Sequence, residues 1–104
     1  MEVTVKSAKQ AARIFKILSV DTRVRMIELL KENSLCVNAL SEALKITPAA
    51  VSQHLRILRD ADIVIAEKRG YYVHYQVKKK TLTAWSAITQ KLLQTDQGNN
   101  KQSS

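Results

Sequence analysis

Residues 37–60 read VNALSEALKITPAAVSQHLRILRD, and this segment decides the fold. Its first part predicts a short helix over 37–44 because apolar residues recur at three- and four-residue steps. Its second part begins with Thr47-Pro48, which supplies a hydroxyl N-cap and a proline at the first helical position. We expect that helix to run to about Asp60 with an inward stripe formed by Val51, Leu55 and Leu58. Two helices joined by a short turn predict a helix-turn-helix.

The hydrophobic period changes from about 3.6 to 2 directly after this segment. Residues 63–66 and 71–77 are rich in β-branched and aromatic side chains and predict two strands. The turn is expected at residues 67–70, where Gly70 can adopt the positive φ that a tight turn needs. Two strands alone are marginally stable, so one face must lean on the helices. We expect that face to be Val73, Tyr75 and Val77, and the hairpin makes the helix-turn-helix winged.

Three more helices are predicted around this unit, over residues 7–18, from an N-cap at Asp21 to about residue 32, and over 79–94. Their expected apolar faces are Ala8, Ala11, Ala12, Phe15 and Leu18; Val24, Ile27 and Leu30; and Leu82, Trp85, Ile88 and Leu92. The fold class is therefore mainly α with a small β-hairpin, a winged helix-turn-helix in the order α-α-α-α-β-β-α. We expect one domain over residues 1–95 and a disordered tail over 96–104, where no apolar residue occurs.

The composition sets limits on function. The chain has 104 residues and a formal charge of +8, which points to an anionic partner, nucleic acid first and a membrane surface second. The single cysteine excludes an intramolecular disulfide framework. No apolar stretch is long enough for a transmembrane span and no secretory signal is visible, so we expect a cytoplasmic protein with no membrane partner.

The helix opened by Thr47 carries a polar face that suits the major groove of duplex DNA. Gln53 can pair with adenine, Arg56 with guanine or phosphate, and Ser52 with either. The wing carries cations that suit backbone phosphates or the minor groove. His54 fits a phosphate contact and a half-buried structural role equally well. The DNA-binding residues predicted from this pattern are Ala49, Ser52, Gln53, His54, Arg56, Lys68, Arg69 and Tyr71.

Several motifs together resemble the ArsR/SmtB family of prokaryotic winged-helix repressors. They are LSVDTRVRMIELL at residues 18–30, LCV at 35–37, LSEAL at 40–44, VSQHLRIL at 51–58 and GYYVHY at 70–75. The resemblance implies a homodimer joined through its first and last helices and bound to a two-fold symmetric operator, which it releases when an effector binds. It also implies that DNA-contacting positions of the family fall on Thr47, Ser52, Gln53 and His54. The wide apolar faces of these two helices support such a dimer interface, to which we assign Phe15, Leu82, Trp85, Ile88 and Leu92.

The chain departs from the family at both of its metal sites. The metal box E-L-C-V-C-D-L is here SLCVNAL at residues 34–40, so only the thiolate of Cys36 remains, and one thiolate does not make a soft-metal site. The last helix has no His, Asp, Glu or Cys over residues 79–94. We therefore expect no metal, no cofactor and an unknown inducer. Lys45 also stands where the family often has glycine, at a left-handed turn position.

Three other functions compete with a DNA-binding regulator. A winged helix can bind RNA or protein, although RNA modules usually stack bases on an aromatic platform. Cys36 at a helix N-terminus can act as a thiol or metal sensor, or it can be an inert, buried residue. An enzyme is not expected, because no paired carboxylates, phosphate-binding glycine loop or nucleophile–base pair is visible.

Overall fold

A computed structural model describes residues 4–95 as one helical domain with a hairpin. The predicted order α-α-α-α-β-β-α is confirmed, whereas the tail expected over 96–104 lies outside the described residues. The elements are α1 (Val5–Ile17), α2 (Asp21–Glu32), α3 (Val37–Leu44), α4 (Pro48–Asp60), β1 (Val64–Arg69), β2 (Tyr72–Val77) and α5 (Lys79–Leu93). Within residues 4–95, no helix has the length and apolar character that crossing a membrane requires.

Helix α4 begins where its sequence predicts. The Thr47 hydroxyl accepts a hydrogen bond from the Ala50 amide at 3.1 Å, with Pro48 at the first helical position. The prediction for α2 was wrong in one respect, because Val20 occupies the N-cap and Asp21 is the first helical residue. The carboxylate of Asp21 still lies in the first turn, where negative charge is favourable to the helix dipole.

The turn between α3 and α4 depends on a left-handed residue. Lys45 has φ 59° and ψ 41°, as expected, and such a conformation costs a residue with a Cβ roughly 1 kcal/mol. The Ser41 side chain reinforces the turn, since its hydroxyl donates to the Ile46 carbonyl while its own carbonyl accepts from the Ile46 amide. The short turn thereby fixes the angle at which α4 leaves α3.

The hairpin is longer than its sequence pattern indicates. The turn predicted at residues 67–70 was wrong, because β1 continues to Arg69, which pairs directly with Tyr72. Only Gly70 and Tyr71 turn the chain, and Gly70 has the expected positive φ of 63°. A third extended segment joins the sheet at Leu35, which exchanges two backbone hydrogen bonds with Tyr75. The base of the hairpin is thus tied to the helices, whereas its tip projects beyond them.

The core fills the space between α2, α3, α4 and the base of the hairpin. Its fully buried side chains come from all four of these parts: Met26, Leu30, Leu40, Val51, Leu58 and Ile63. Val77 and Tyr75 face this core as predicted, but Val73 is 38% exposed because it lies nearer the projecting tip.

The outer helices bury different faces from those expected. In α1 the buried residues are Ala11, Ile14 and Ile17, while Phe15 is 40% exposed. The predicted inward residues Ala8 and Ala12 are also exposed. Apolar residues occupy more than one side of this helix, so periodicity alone does not select the packed side. In α2, likewise, Val24 of the predicted stripe is exposed.

Arg23 is the one charged side chain in the core of the described chain. Its guanidinium donates to the carbonyl of Ile17 at 2.7 Å and to that of Lys16 at 3.2 Å. A cation at the C-terminus of a helix is favourable to the helix dipole, and here it also satisfies two terminal carbonyls of α1. Arg23 therefore fixes the end of α1 against the start of α2.

Asp62 joins the end of α4 to the start of α5. It has φ 62° and ends α4 with a pair of hydrogen bonds, from its own amide to Arg59 and from the Ile63 amide to Leu58. Its carboxylate accepts from Lys78 Nζ at 2.9 Å and from the Thr81 hydroxyl at 3.4 Å. The hydrogen bond from Lys78 lowers the pKa of Asp62, and the pair offsets a lysine charge at the N-terminus of α5.

Candidate nucleic-acid interface

Helix α4 has an apolar side inside the protein and a polar side in solvent. Val51, Leu55 and Leu58 are at most 2% exposed. The predicted contact residues Ser52, Gln53 and Arg56 are all exposed, and the helical spacing puts them on one side. The side chain of Ala49 adds little bulk on this side, so the backbone of the first turn can approach a flat surface closely. The structure therefore brings these four predicted residues together.

The first turn of α4 is capped by Thr47. The Thr47 oxygen is engaged as the helix cap, which leaves its proton as a donor to an outside acceptor. The amides of a helix N-terminus carry a partial positive charge, which suits a phosphate oxygen. One turn beyond Arg56, the exposed Asp60 adds negative charge to the same side. The groups of α4 that can attract an anion are therefore the amides of its first turn and the guanidinium of Arg56.

A polar cleft of about 620 Å³ separates α4 from the hairpin. Ser52, Arg56 and Arg59 line it from the helix, and Ala66 and Tyr75 line it from the hairpin. Arg59 was not predicted as a contact residue, although it follows Arg56 by three positions and so shares its side of the helix. Helical spacing extended by one turn beyond Arg56 is the signal that would have found it.

His54 lies apart from Ser52 and Gln53, at the border of the core. It is half-buried, and its buried Nδ1 makes no hydrogen bond within residues 4–95. Burial lowers the pKa of His54, and the positive charge of Arg23 lowers it further. The structural role considered for this residue agrees with these surroundings, and a phosphate contact stays a prediction.

The tip of the hairpin presents cations and an aromatic ring. Tyr71 is fully exposed. Arg69 forms a salt bridge with Glu67 at 3.0 Å, which is a weak interaction because both side chains are at least half exposed. Side chains alternate along a strand, so Lys68 lies on the sheet face that carries Ala66, whereas Arg69 lies on the other. Lys68 is therefore the wing cation on the side of the cleft.

A second surface, formed by α1 and α5, is apolar and incompletely covered. Leu82, Trp85 and Ile88 are half-buried, and no residue of α5 is fully buried. Leu92 is 54% exposed and Phe15 is 40% exposed, so both helices present apolar side chains to solvent in the monomer. A groove of about 390 Å³ runs along this surface between α1, α2 and α5, and it is lined by Leu18, Val24 and Trp85.

Cys36 is half-buried at the N-cap position of α3. Its carbonyl accepts from the Leu40 amide at 3.0 Å. Across residues 4–95, no three His, Cys, Asp or Glu side chains lie close enough together to hold a metal ion. A sensing role for Cys36 stays an alternative prediction.

Comparison with known proteins identifies the family of this unit. The bacterial regulatory protein family arsR matches residues 21–66, from α2 into β1. The chain is 40% identical over 65 residues to the arsenic resistance transcriptional regulator ArsR1 of Pseudomonas putida, with 62% of this chain and 51% of that protein covered. It is also 40% identical over 70 residues to the uncharacterized HTH-type transcriptional regulator MJ1325 of Methanocaldococcus jannaschii, with 66% and 79% covered.

A solved structure of similar sequence shares the fold. A crystal structure of a possible transcriptional regulator for arsenical resistance superposes with a TM-score of 0.72 and 26% identity, over 86% of this chain and 92% of that one. The chain spans 51% of ArsR1 and between 57% and 64% of two further curated relatives. The motifs, the fold and these relatives agree, and the chain belongs to the arsR family, which is a family of bacterial regulatory proteins and not of enzymes.

Proposed function

We propose that this protein is a sequence-specific, duplex-DNA-binding transcriptional repressor that acts as a homodimer. The observation that carries the proposal is the structure of α4, whose apolar side is fully buried while Ser52, Gln53 and Arg56 stay exposed beside a cationic wing. A helix of this kind fits the major groove of B-form DNA. We name α4 the recognition helix on this basis.

The proposal gives the two parts of the interface different tasks. Gln53, Ser52 and Arg56 read base edges, because amide and guanidinium groups match the donor and acceptor pattern of the major groove. Lys68 and Arg69 bind phosphates, which positions the recognition helix and adds affinity that does not depend on sequence. The rigid turn at Lys45 supports this arrangement, since it fixes the angle between α3 and α4.

The homodimer rests on the apolar surface of α1 and α5. A short chain buries a limited core, and a contiguous apolar surface on a small domain indicates a partner. A second copy that covers Phe15, Trp85 and Leu92 would place two recognition helices on one duplex. Two-fold symmetric operators mirror such protein symmetry.

We further propose that metal does not regulate this repressor through the standard sites of its family. Cys36 is the only cysteine of the chain, and a soft-metal site needs two or three thiolates. Zinc, cadmium and arsenite should therefore not bind stoichiometrically, and Cys36→Ser should leave DNA affinity nearly unchanged. A one-per-protomer metal complex that releases DNA, and that Cys36→Ser abolishes, would restore the thiol or metal sensor.

Selection of bound fragments from random duplexes tests the proposed function. We expect a two-fold symmetric consensus and an affinity that single-stranded DNA or RNA does not compete for. If a dimer neutralises about eight phosphates, log K should fall against log salt with a slope near −7. No enrichment from the duplex pool, or stronger competition by single strands, would favour the RNA- or protein-binding alternative.

A further inference from the structure

Helix α1 has a continuous row of cations on its outer side. Lys6, Lys9, Arg13 and Lys16 are all exposed, and at 100° per residue they fall within a sector of about 80°. We call this row the α1 basic stripe. The salt bridges among residues 4–95 are Arg69–Glu67 and Lys78–Asp62, so no acidic side chain of that range forms a salt bridge with the stripe. The helix itself contains no Asp or Glu.

Most of this stripe destabilises the isolated domain, since only Lys16 lies in the last turn of α1, where a cation is favourable to the helix dipole. The packing of α1 comes from Ala11, Ile14 and Ile17 on a different side. Like charges three or four positions apart destabilise a helix, by about 0.2–0.5 kcal/mol for each pair. Cations in the first turns also oppose the helix dipole, as at Lys6. An anionic partner would remove both of these costs.

The stripe ends at α2, which packs on the recognition helix. The Lys16 carbonyl accepts from the guanidinium of Arg23 in α2 at 3.2 Å, and α2 contacts α4. From Lys16 the stripe extends away for about 15 Å, at 1.5 Å per residue. Four cations over that length approach the density of phosphates on one DNA strand, which is one per 3.4 Å of helix axis.

We propose that the α1 basic stripe binds the phosphate backbone of the same duplex that the recognition helix reads. This inference rests on the proposed function and adds a third contact to it, besides the recognition helix and the wing. The contact is independent of sequence, because the four side chains meet phosphates and not base edges. The backbone protected by the protein therefore extends beyond the bases that Gln53 and Arg56 reach.

A pair of charge-matched double variants tests the stripe. Lys9→Gln/Arg13→Gln removes two of its cations, while Arg25→Gln/Lys80→Gln removes two exposed cations from α2 and α5 that line neither the cleft nor the groove. Affinity for the selected operator and for random duplex is measured against salt concentration. The stripe variant should weaken both duplexes about equally and make the slope of log K less steep by about 2 for each protomer. The control variant should keep the wild-type slope within about 1 unit.

Three further readouts decide the result. The charge-conserving variant Lys9→Arg/Arg13→Lys should restore affinity and slope, which separates charge from folding. Wild-type slope and affinity in the Gln variant would overturn the stripe contact while leaving the proposed function intact. Loss of binding to anionic phosphatidylserine vesicles with unchanged DNA binding would overturn it in favour of a membrane surface. If the wild-type protein binds no duplex at all, the proposed function itself fails.

Discussion

The recognition helix and the C-terminal helix α5 have similar apolar spacing but very different burial. In α4, three apolar residues are at most 2% exposed and the remaining side is polar. In α5, which is two residues longer, no side chain is fully buried, and Leu92 at its end is 54% exposed. The apolar stripe of α4 is satisfied within one chain, whereas that of α5 is only partly covered.

This difference separates the two kinds of partner that we propose for the protein. A helix whose apolar side is already buried can present polar groups to an ordered, charged surface such as a DNA groove. A helix whose apolar side is half-covered gains free energy from further burial, at about 25 cal/mol for each Å². The comparison therefore assigns polar recognition to α4 and self-association to α5 together with α1.

The largest expected difference between the two helices is in the cost of truncating one buried or exposed leucine in each. Leu55→Ala should lower the free energy of unfolding by about 2–5 kcal/mol, because it leaves a cavity under the recognition helix. Leu92→Ala should change it by less than about 0.5 kcal/mol when the protein is dilute, since that side chain is exposed in the monomer. Urea unfolding at two protein concentrations measures both values, and equal costs for the two variants would contradict the comparison.

Association through α1 and α5 is the next test. Trp85→Asp should give monomers, but Trp85 also packs on the core, so its loss can weaken the fold as well. The exposed residues Phe15 and Leu92 are cleaner sites, and Phe15→Asp/Leu92→Asp should give folded monomers with about 100-fold weaker operator binding, near 2.7 kcal/mol. Sedimentation and circular dichroism check the state of each variant. Sedimentation of the wild-type protein as a monomer at micromolar concentration would refute the dimer.

The recognition helix and the wing are expected to affect DNA binding differently, the helix through sequence discrimination and the wing through overall affinity. Gln53→Ala should lose about 1–3 kcal/mol of discrimination at particular base pairs. Arg69→Ala should weaken all duplexes about equally, and Lys68→Ala should do so more strongly because Lys68 has no acidic neighbour in a salt bridge within residues 4–95. Binding titrations on specific and random duplexes separate these effects. Identical behaviour of the helix and wing variants would contradict the assignment.

The smallest expected effect concerns pH. The pKa of His54 is lowered from 6.5 in the folded protein, first by burial and then by Arg23. The folded state therefore binds fewer protons than the unfolded state, so the contribution of His54 is present above pH 6.5 and is lost as the pH falls through the folded pKa. His54→Gln should make the unfolding free energy fall less steeply between about pH 7.5 and pH 5. A wild-type slope in this variant would show that His54 does not titrate with folding.

The sequence by itself determined the local parts of the fold and of the candidate site. Thr47-Pro48 specified the start of α4, and the stripe of Val51, Leu55 and Leu58 fixed which side of α4 faces solvent. These features depend on hydrogen bonds and periodicity within a few residues, so they can be predicted from one chain. For the same reason, the residues of the recognition helix were the part of the candidate interface that could be predicted best from the sequence.

Only the tertiary structure decided features that join distant segments. Arg23 is buried because the end of α1 offers it two carbonyls, and Asp62 takes a left-handed conformation where it meets Lys78, sixteen residues later. The hairpin turn contains only Gly70 and Tyr71, fewer residues than predicted, because pairing with β2 extends β1 to Arg69. In α1 several sides carry apolar residues, and contact with α5 selected the side that became buried. The physical reason is that sequence periodicity predicts which positions of a helix are apolar, whereas the packing of one element on another determines which of those positions are buried.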